Sequence, residues 1–284
     1  MPRQPSFLEL DVPPAPLEKA RFEIIPAPLE HSVSYGHGTA AGPGKLLEAS
    51  LQLEAFDGES VPAYAGIHTG AAIDCSADTD TVLNRIAERV TAALQGNRVP
   101  VILGGEHTVT LGAMRALAAR GEPFGVVQFD AHADLRDQYE GNAFSHACVM
   151  RRVVELGVPL FQIGVRSLSA AEAGFRQASE MLYCDAEALA DAKPVLMRLP
   201  PDFPKNIYIT FDVDAFDPAV MPGTGTPEPG GLFWYDAMRL INQSLDGRRL
   251  IGFDVVELAP IAGSQVSEFT AAKLVYRLMS AALK

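Results

Sequence analysis

The chain has 284 residues, with 23 Lys and Arg against 35 Asp and Glu, a formal net charge of −12, and 48 % apolar residues. This is globular composition with enough apolar side chains for a large core. The acidic balance argues against nucleic acid or an anionic membrane surface as a partner and suits cations: metal ions, amines and guanidinium compounds. In chain order, the proline-rich first 20 residues read as an irregular arm, and residues 21–284 as a single domain. Short runs rich in Val, Ile and Phe predict buried strands at Phe22–Pro26, Val99–Leu103, Gly125–Phe129, Leu160–Val165, Asn206–Phe211 and Leu250–Val256. Helical spacing falls between them, at Asp80–Leu94, Thr110–Ala119, Ala147–Leu156, Tyr235–Leu245 and Ser267–Leu283. The alternation predicts an α/β fold with a parallel sheet and helices on both sides. The Pro/Gly-rich stretch Asp217–Gly231 keeps the same rhythm and reads as a functional loop.

The N-terminus leads into no apolar run, and no run approaches the roughly 18–20 residues needed to span a bilayer. The three cysteines, Cys75, Cys148 and Cys184, fit neither a disulfide framework nor a zinc ribbon. These features predict a reduced, cytoplasmic setting without membrane attachment.

In open α/β sheets, ligands bind beyond the carboxyl ends of the strands. Here those ends carry Gly104-Gly105-Glu106-His107, Asp130-Ala131-His132-Ala133-Asp134, Asp212-Val213-Asp214 and Glu257. A further short segment, Ser145-His146, opens a helix after the second cluster. The chain has only six histidines, so three of them in these segments is an unlikely scatter. In an extended segment residues i, i+2 and i+4 point the same way. Asp130, His132 and Asp134 therefore converge, as do Asp212 and Asp214. Burying four carboxylates together is costly unless cations neutralise them, and two divalent ions would cancel the charge. The hard donor set, without sulfur, favours Mn²⁺ over Mg²⁺, and Zn²⁺ stays compatible. Each motif alone has an ordinary structural explanation: a turn, a cap, or a glycine pair that lets a helix start close to the sheet. Together, at neighbouring strand ends, they point to a two-metal centre.

These residues resemble the ureohydrolase family of arginases and agmatinases, from about Phe22 onward. The marks are Gly104–Thr108, Asp130–Asp134, Ser145-His146, Ile163–Ser167, Phe211–Asp214 through Pro218 to Gly223–Gly231, and Asp254–Pro260. Ser32–Gly36 with Gly42-Pro43 and Leu46–Ser50 resembles the family's first strand–loop–helix. The resemblance implies a three-layer α/β/α fold around a mostly parallel eight-stranded sheet. It implies two Mn²⁺ per chain and hydrolysis of a guanidino group with release of urea. By motif match, His107, Asp130, Asp134 and Asp212 would hold one ion. Asp130, His132, Asp212 and Asp214 would hold the other, with Asp130 and Asp212 bridging. Two metals make hydroxide available near neutral pH. Glu257 would bind the guanidinium, Asp134 would accept the hydroxide's hydrogen bond, and His146 would carry a proton to the leaving amine. A homo-oligomer, trimer or hexamer, is expected on the same ground.

The run Leu135–His146 departs from the arginase pattern and looks like the agmatinase one, as does Gly225–Gly231. Agmatine, giving putrescine and urea, is therefore the first expectation. N1-aminopropylagmatine, guanidinobutyrate and arginine are the alternatives. Arg136 is an unwelcome neighbour for a dication unless it turns outward or pairs with Asp137 or Glu140. Metal deacetylases share the overall fold but use one zinc and lack the ligand equivalent to His107. Non-catalytic relatives lose ligands, whereas all six stand here beside His146 and Glu257.

Overall fold

In the computed structural model, which describes residues 4–191 and 197–284, the chain alternates strand and helix along most of its length. The order is β1 (Phe22–Ala27), α1 (Gly42–Ser50), β2 (Ile67–Thr69), α2 (Thr79–Gln95), β3 (Val99–Gly104), α3 (Thr110–Ala119), β4 (Gly125–Phe129), α4 (Val149–Glu155), β5 (Leu160–Ile163), α5 (Ala170–Ala178), β6 (Leu182–Cys184), α6 (Ala186–Asp191), β7 (Asn206–Asp212), α7 (Trp234–Ser244), β8 (Arg249–Val256) and α8 (Val266–Ala281). All six expected strands and all five expected helices are present, with ends within a few residues. Two edge strands and two helices, α5 and α6, are additional, and α1 covers the Gly42–Ser50 segment that resembles the family's first strand–loop–helix.

The eight strands form one sheet in the order β2-β1-β3-β8-β7-β4-β5-β6, and every pairing is parallel. Alternation along the strands divides the core in two. Ile24, Val101, Leu103, Phe129, Phe211 and Phe253 face α1, α7 and α8. Ile25, Ile102, Val126 and Tyr208 face α2, α3 and α4. This is the expected three-layer arrangement. The layers hold by burial: Val82, Leu83, Ile86 and Val90 of α2 are fully buried, and each such side chain contributes about 1.5–3 kcal/mol. Asp78 caps α2 by accepting from the Thr81 N–H at 3.0 Å.

Residues 4–20 are irregular apart from one 3-10 turn at Leu17–Lys19; residues 1–3 of the arm lie outside the described residues. The arm is nevertheless anchored. Phe7 and Leu8 are buried in the core, and their N–H groups donate to Thr69 Oγ1 (3.0 Å) and Ser50 Oγ (3.2 Å).

The topology matters most for what it gathers. β3, β8, β7 and β4 are neighbours at the centre of the sheet. Their carboxyl ends lead into His107, Glu257, Asp212 and Asp130, which are far apart in sequence.

Candidate metal centre and substrate pocket

Gly105 lets the first motif form. A Cβ there would collide with the Leu29 carbonyl, and the close approach allows Gly105 N to donate to Ala27 O (2.9 Å) and Glu106 N to Leu29 O (2.8 Å). His107 then turns inward and is 1 % exposed. Its Nδ1 lies 2.9 Å from Asp134 Oδ2, 3.2 Å from Asp130 Oδ2 and 3.6 Å from Asp212 Oδ2. On the other side, His132 Nδ1 lies 2.9 Å from Asp214 Oδ2 and 3.7 Å from Asp130 Oδ1. The structure thus brings all six expected ligands together. Two groups are tight enough to hold an ion, His107–Asp130–Asp212 and Asp130–His132–Asp214, and they share Asp130. Asp134 stands outside the first group and Asp212 outside the second, a narrower pair of sets than the four-ligand sets expected.

The carboxylates are aimed by backbone donors. Asp130 Oδ1 accepts from the His132 N–H (2.6 Å), Asp214 Oδ1 from Ala131 (2.9 Å) and Asp212 Oδ1 from Asp214 (2.9 Å). Gln128 Nε2 donates to Asp130 Oδ2 at 2.7 Å. His107 is fixed from behind. Thr210 Oγ1 donates to Asp254 Oδ1 (2.6 Å) and so accepts from His107 Nε2–H (2.8 Å). Asp254 also accepts from Thr110 Oγ1 (2.9 Å) and Tyr208 OH (2.8 Å). With its Nε2 donating, His107 turns the Nδ1 lone pair toward three carboxylate oxygens, and this buried nitrogen makes no hydrogen bond. Lone pairs facing one another across one point form a cation's coordination set, and the donors fit a hard divalent ion such as Mn²⁺.

Electrostatics support the same fit. Burial opposes charge on His107, but Asp130 and Asp134 outweigh it and hold the ring well above its ordinary value. His132 is likewise pushed up to about 12 against its burial, chiefly by Asp214. Burial raises Asp134 to about 6, helped by Asp130, and raises Asp212 well above the carboxylate range, helped by Asp214. Asp130 is driven below that range, against burial, by His107 and His132. The protein's own groups cannot balance so much buried negative charge, and protons are held where a cation would otherwise sit.

A pocket of about 290 Å³ opens on the cluster, lined by His132, Asp134, Asp212 and Glu257 and also by His146, Tyr139 and Arg136. Burial and Glu106 hold Glu257 well above the carboxylate range in the free pocket, and a guanidinium bound beside it would favour its charged form. Glu257 and Asp134 both adopt left-handed backbone, at φ 63° and 52°, at about 1–3 kcal/mol each. The structure over-determines both. Glu257 N donates to Gly105 O (2.8 Å), and Asp134 O accepts from Met150 and Arg151 at the start of α4 (3.0 and 3.1 Å).

His146 reaches the pocket through a loop that sequence reading did not connect to it. Glu106, fully buried, accepts from His31 N (2.8 Å) and Ser32 N (2.6 Å) and so orders that loop. Ser32 Oγ in turn accepts from His146 N (3.0 Å). Ser32 and Ser34 lie within 3.4 and 3.5 Å of the two ring nitrogens. Arg136 does not pair with Asp137, which binds Arg152 instead (2.9 Å). It lies over the Tyr139 ring at 5.2 Å, with Nε 3.9 Å from Glu172. Glu172 is occupied by Leu135 N (3.0 Å) and by its capping box with Ser169. Arg166 lies in the Ile163–Ser167 motif. It donates to the carbonyls of Asp214 (2.7 Å) and Glu228 (2.8 Å), clamping both ends of the loop beside the cluster.

A parallel α/β sheet with a His/Asp cluster able to hold metal at its carboxyl edge and an acidic pocket over it defines the class: an α/β protein with a candidate metal centre open to a ligand pocket. The Arginase family model matches residues 20–281, and the chain belongs to the arginase family. It is a ureohydrolase, acting on the C–N bond of a guanidino group. It is 40 % identical over 270 residues to the N(1)-aminopropylagmatine ureohydrolase of Synechocystis sp., covering 92 % of this chain and 88 % of that one. It is 31 % identical over 273 residues to the agmatinase of Pyrococcus horikoshii, covering 94 % of each. The solved structure of the agmatine ureohydrolase of Thermoplasma volcanium superposes with a TM-score of 0.83 at 28 % identity, covering 95 % and 92 % of the two chains. No helix among the described residues is long and apolar enough to cross a membrane.

Proposed function

We propose that this ureohydrolase cleaves the guanidino group of an aminoalkyl guanidine, N1-aminopropylagmatine or agmatine, to release urea and spermidine or putrescine. The observation that carries the reading is the pair of His/Asp groups joined at Asp130, with Glu257 in the same pocket. Sequence reasoning put agmatine first. The 40 % identity to an N(1)-aminopropylagmatine ureohydrolase supports the longer substrate as at least an equal candidate.

His107, Asp130, Asp134 and Asp212 would hold one Mn²⁺, and Asp130, His132, Asp212 and Asp214 the other. The metal pair, when bound, supplies a nucleophilic water near neutral pH. Glu257 binds the guanidinium by charge and hydrogen bond, which a group this basic requires because it stays protonated. Asp134 accepts a hydrogen bond from the attacking water. His146 delivers a proton to the departing amine, with Ser32 and Ser34 steadying its ring. The enzyme works as a cytoplasmic homo-oligomer, a trimer or hexamer.

Arg136 supports a second reading. Its half-exposed guanidinium lines the same pocket and suits a carboxylate-bearing substrate such as guanidinobutyrate or arginine. Urea release with Mn²⁺, measured in parallel on all four compounds, separates the readings. The first expects kcat/KM to be highest for N1-aminopropylagmatine or agmatine. A best rate with guanidinobutyrate or arginine gives the pocket to Arg136.

A further inference from the structure

Two glutamines interrupt the apolar runs of β4 and β5. Gln128 and Gln162 are both fully buried and stand opposite each other in the sheet register. A buried amide needs partners for its oxygen and its nitrogen alike. Here the partners form a line from α5 to the His/Asp cluster. Arg176 of α5, only 4 % exposed, donates from Nε to Gln162 Oε1 (2.8 Å). Gln162 Nε2 donates to Gln128 Oε1, and Gln128 Nε2 donates to Asp130 Oδ2 (2.7 Å). At the outer end, Arg176 Nη1 donates to both carboxylate oxygens of Asp185, just after β6 (3.0 Å each).

The direction of this line follows from its chemistry. A guanidinium has donors only, so Gln162 turns its oxygen to Arg176. Its nitrogen is left for Gln128 and for the Ala133 carbonyl (2.7 Å). Gln128 must then turn its oxygen to Gln162, which leaves its nitrogen for Asp130. A reversed Gln128 amide would set oxygen against oxygen at Asp130 Oδ2, the atom 3.2 Å from His107 Nδ1. Asp130 is the residue common to both His/Asp groups, so its orientation bears on both. Buried hydrogen bonds in series also strengthen one another.

We propose that Arg176 is a positioning residue for the metal centre, orienting Asp130 through Gln162 and Gln128. The proposal rests on the reading of Asp130 as a shared metal ligand. None of the three residues lines the substrate pocket, so their effect falls on metal affinity rather than on KM.

Dialysis of the metal-free chain against graded Mn²⁺, with bound metal measured by elemental analysis, tests this without using turnover. The native chain binds two ions. Gln128→Met weakens binding by about 10–100-fold, the usual worth of a group that orients a metal ligand. Arg176→Met weakens it by about 10-fold. So does Gln162→Met, which cuts the line, leaves the Arg176–Asp185 pair in place and gives the answer even if Arg176→Met does not fold. The double variant Gln128→Met with Arg176→Met binds within about two-fold of Gln128→Met alone, because the line is already cut. Native affinity in Gln162→Met, or the full Arg176→Met loss repeated on top of Gln128→Met, overturns the proposal and leaves Arg176 as a tie between α5 and β6. No binding by the native chain overturns it in a different way, by removing the metal centre itself.

Discussion

The backbone N–H of His107 donates to the carboxylate of Glu257 at 2.6 Å, across 150 positions of sequence. One bond thereby couples a candidate metal ligand to the candidate guanidinium partner. It sets Glu257 at the mouth of the cluster, and the parallel pairing of β3 with β8 makes it possible.

Glu257→Gln keeps an oxygen for the His107 N–H and removes the charge. The expected result is a fall in kcat/KM of roughly 10²-fold, the scale of one charge-assisted hydrogen bond, with metal content unchanged. Steady-state kinetics beside elemental analysis checks this. An unchanged kcat/KM would remove Glu257 from substrate binding.

His146→Ala should lower kcat by about 10²–10⁴-fold, the usual worth of a positioned proton donor. Bound metal should stay at two ions per chain. A loss of metal instead would make His146 a structural support of the cluster.

Thr210→Val cuts the link from Asp254 to His107 Nε2. Ligand orientation of this kind is worth about 10–100-fold in metal affinity. The variant should need correspondingly more Mn²⁺ for half-maximal activity and reach nearly the native plateau. A native Mn²⁺ requirement would mean that packing alone orients the ring.

Much of this was legible in sequence, for identifiable reasons. Buried parallel strands are continuous apolar runs, and the ligands follow them directly, so β3, β4, β7 and β8 announced both fold and cluster. β2 and β6 have three residues each, too few to show a period. Ser32, Ser34 and Glu106 act through contacts 74 to 114 positions apart, which no local pattern encodes. Asp254 did leave a signal. An aspartate inside Leu250–Val256, otherwise an apolar run, needs buried partners, and the structure supplies three hydroxyls.

Asp217 ties off the loop that carries Thr226 and Glu228. Its carboxylate accepts from the N–H groups of Ala219 (3.0 Å), Gly230 (2.9 Å) and Gly231 (3.1 Å). Slight burial pushes its pKa up, but these donors outweigh it and hold the group below the usual range. A carboxyl lowered by folding stabilises above its unfolded value of about 3.9 and loses that contribution as pH falls through the folded value. Solvent screening keeps the effect below about 1 kcal/mol. The stability gap between native chain and Asp217→Asn, from urea unfolding, should be constant between about pH 7 and 5 and shrink below about pH 4. A gap that widens on acidification contradicts this.

The proposed activity rests on six side chains, joined at Asp130, acting as a two-metal centre for guanidino hydrolysis. Titration of metal-free enzyme with Mn²⁺, following urea release from N1-aminopropylagmatine and agmatine, tests it most directly. No turnover is expected without metal, and with Mn²⁺ a rise that levels off at two ions per chain. A plateau at one ion, or urea release from the metal-free chain, would contradict it.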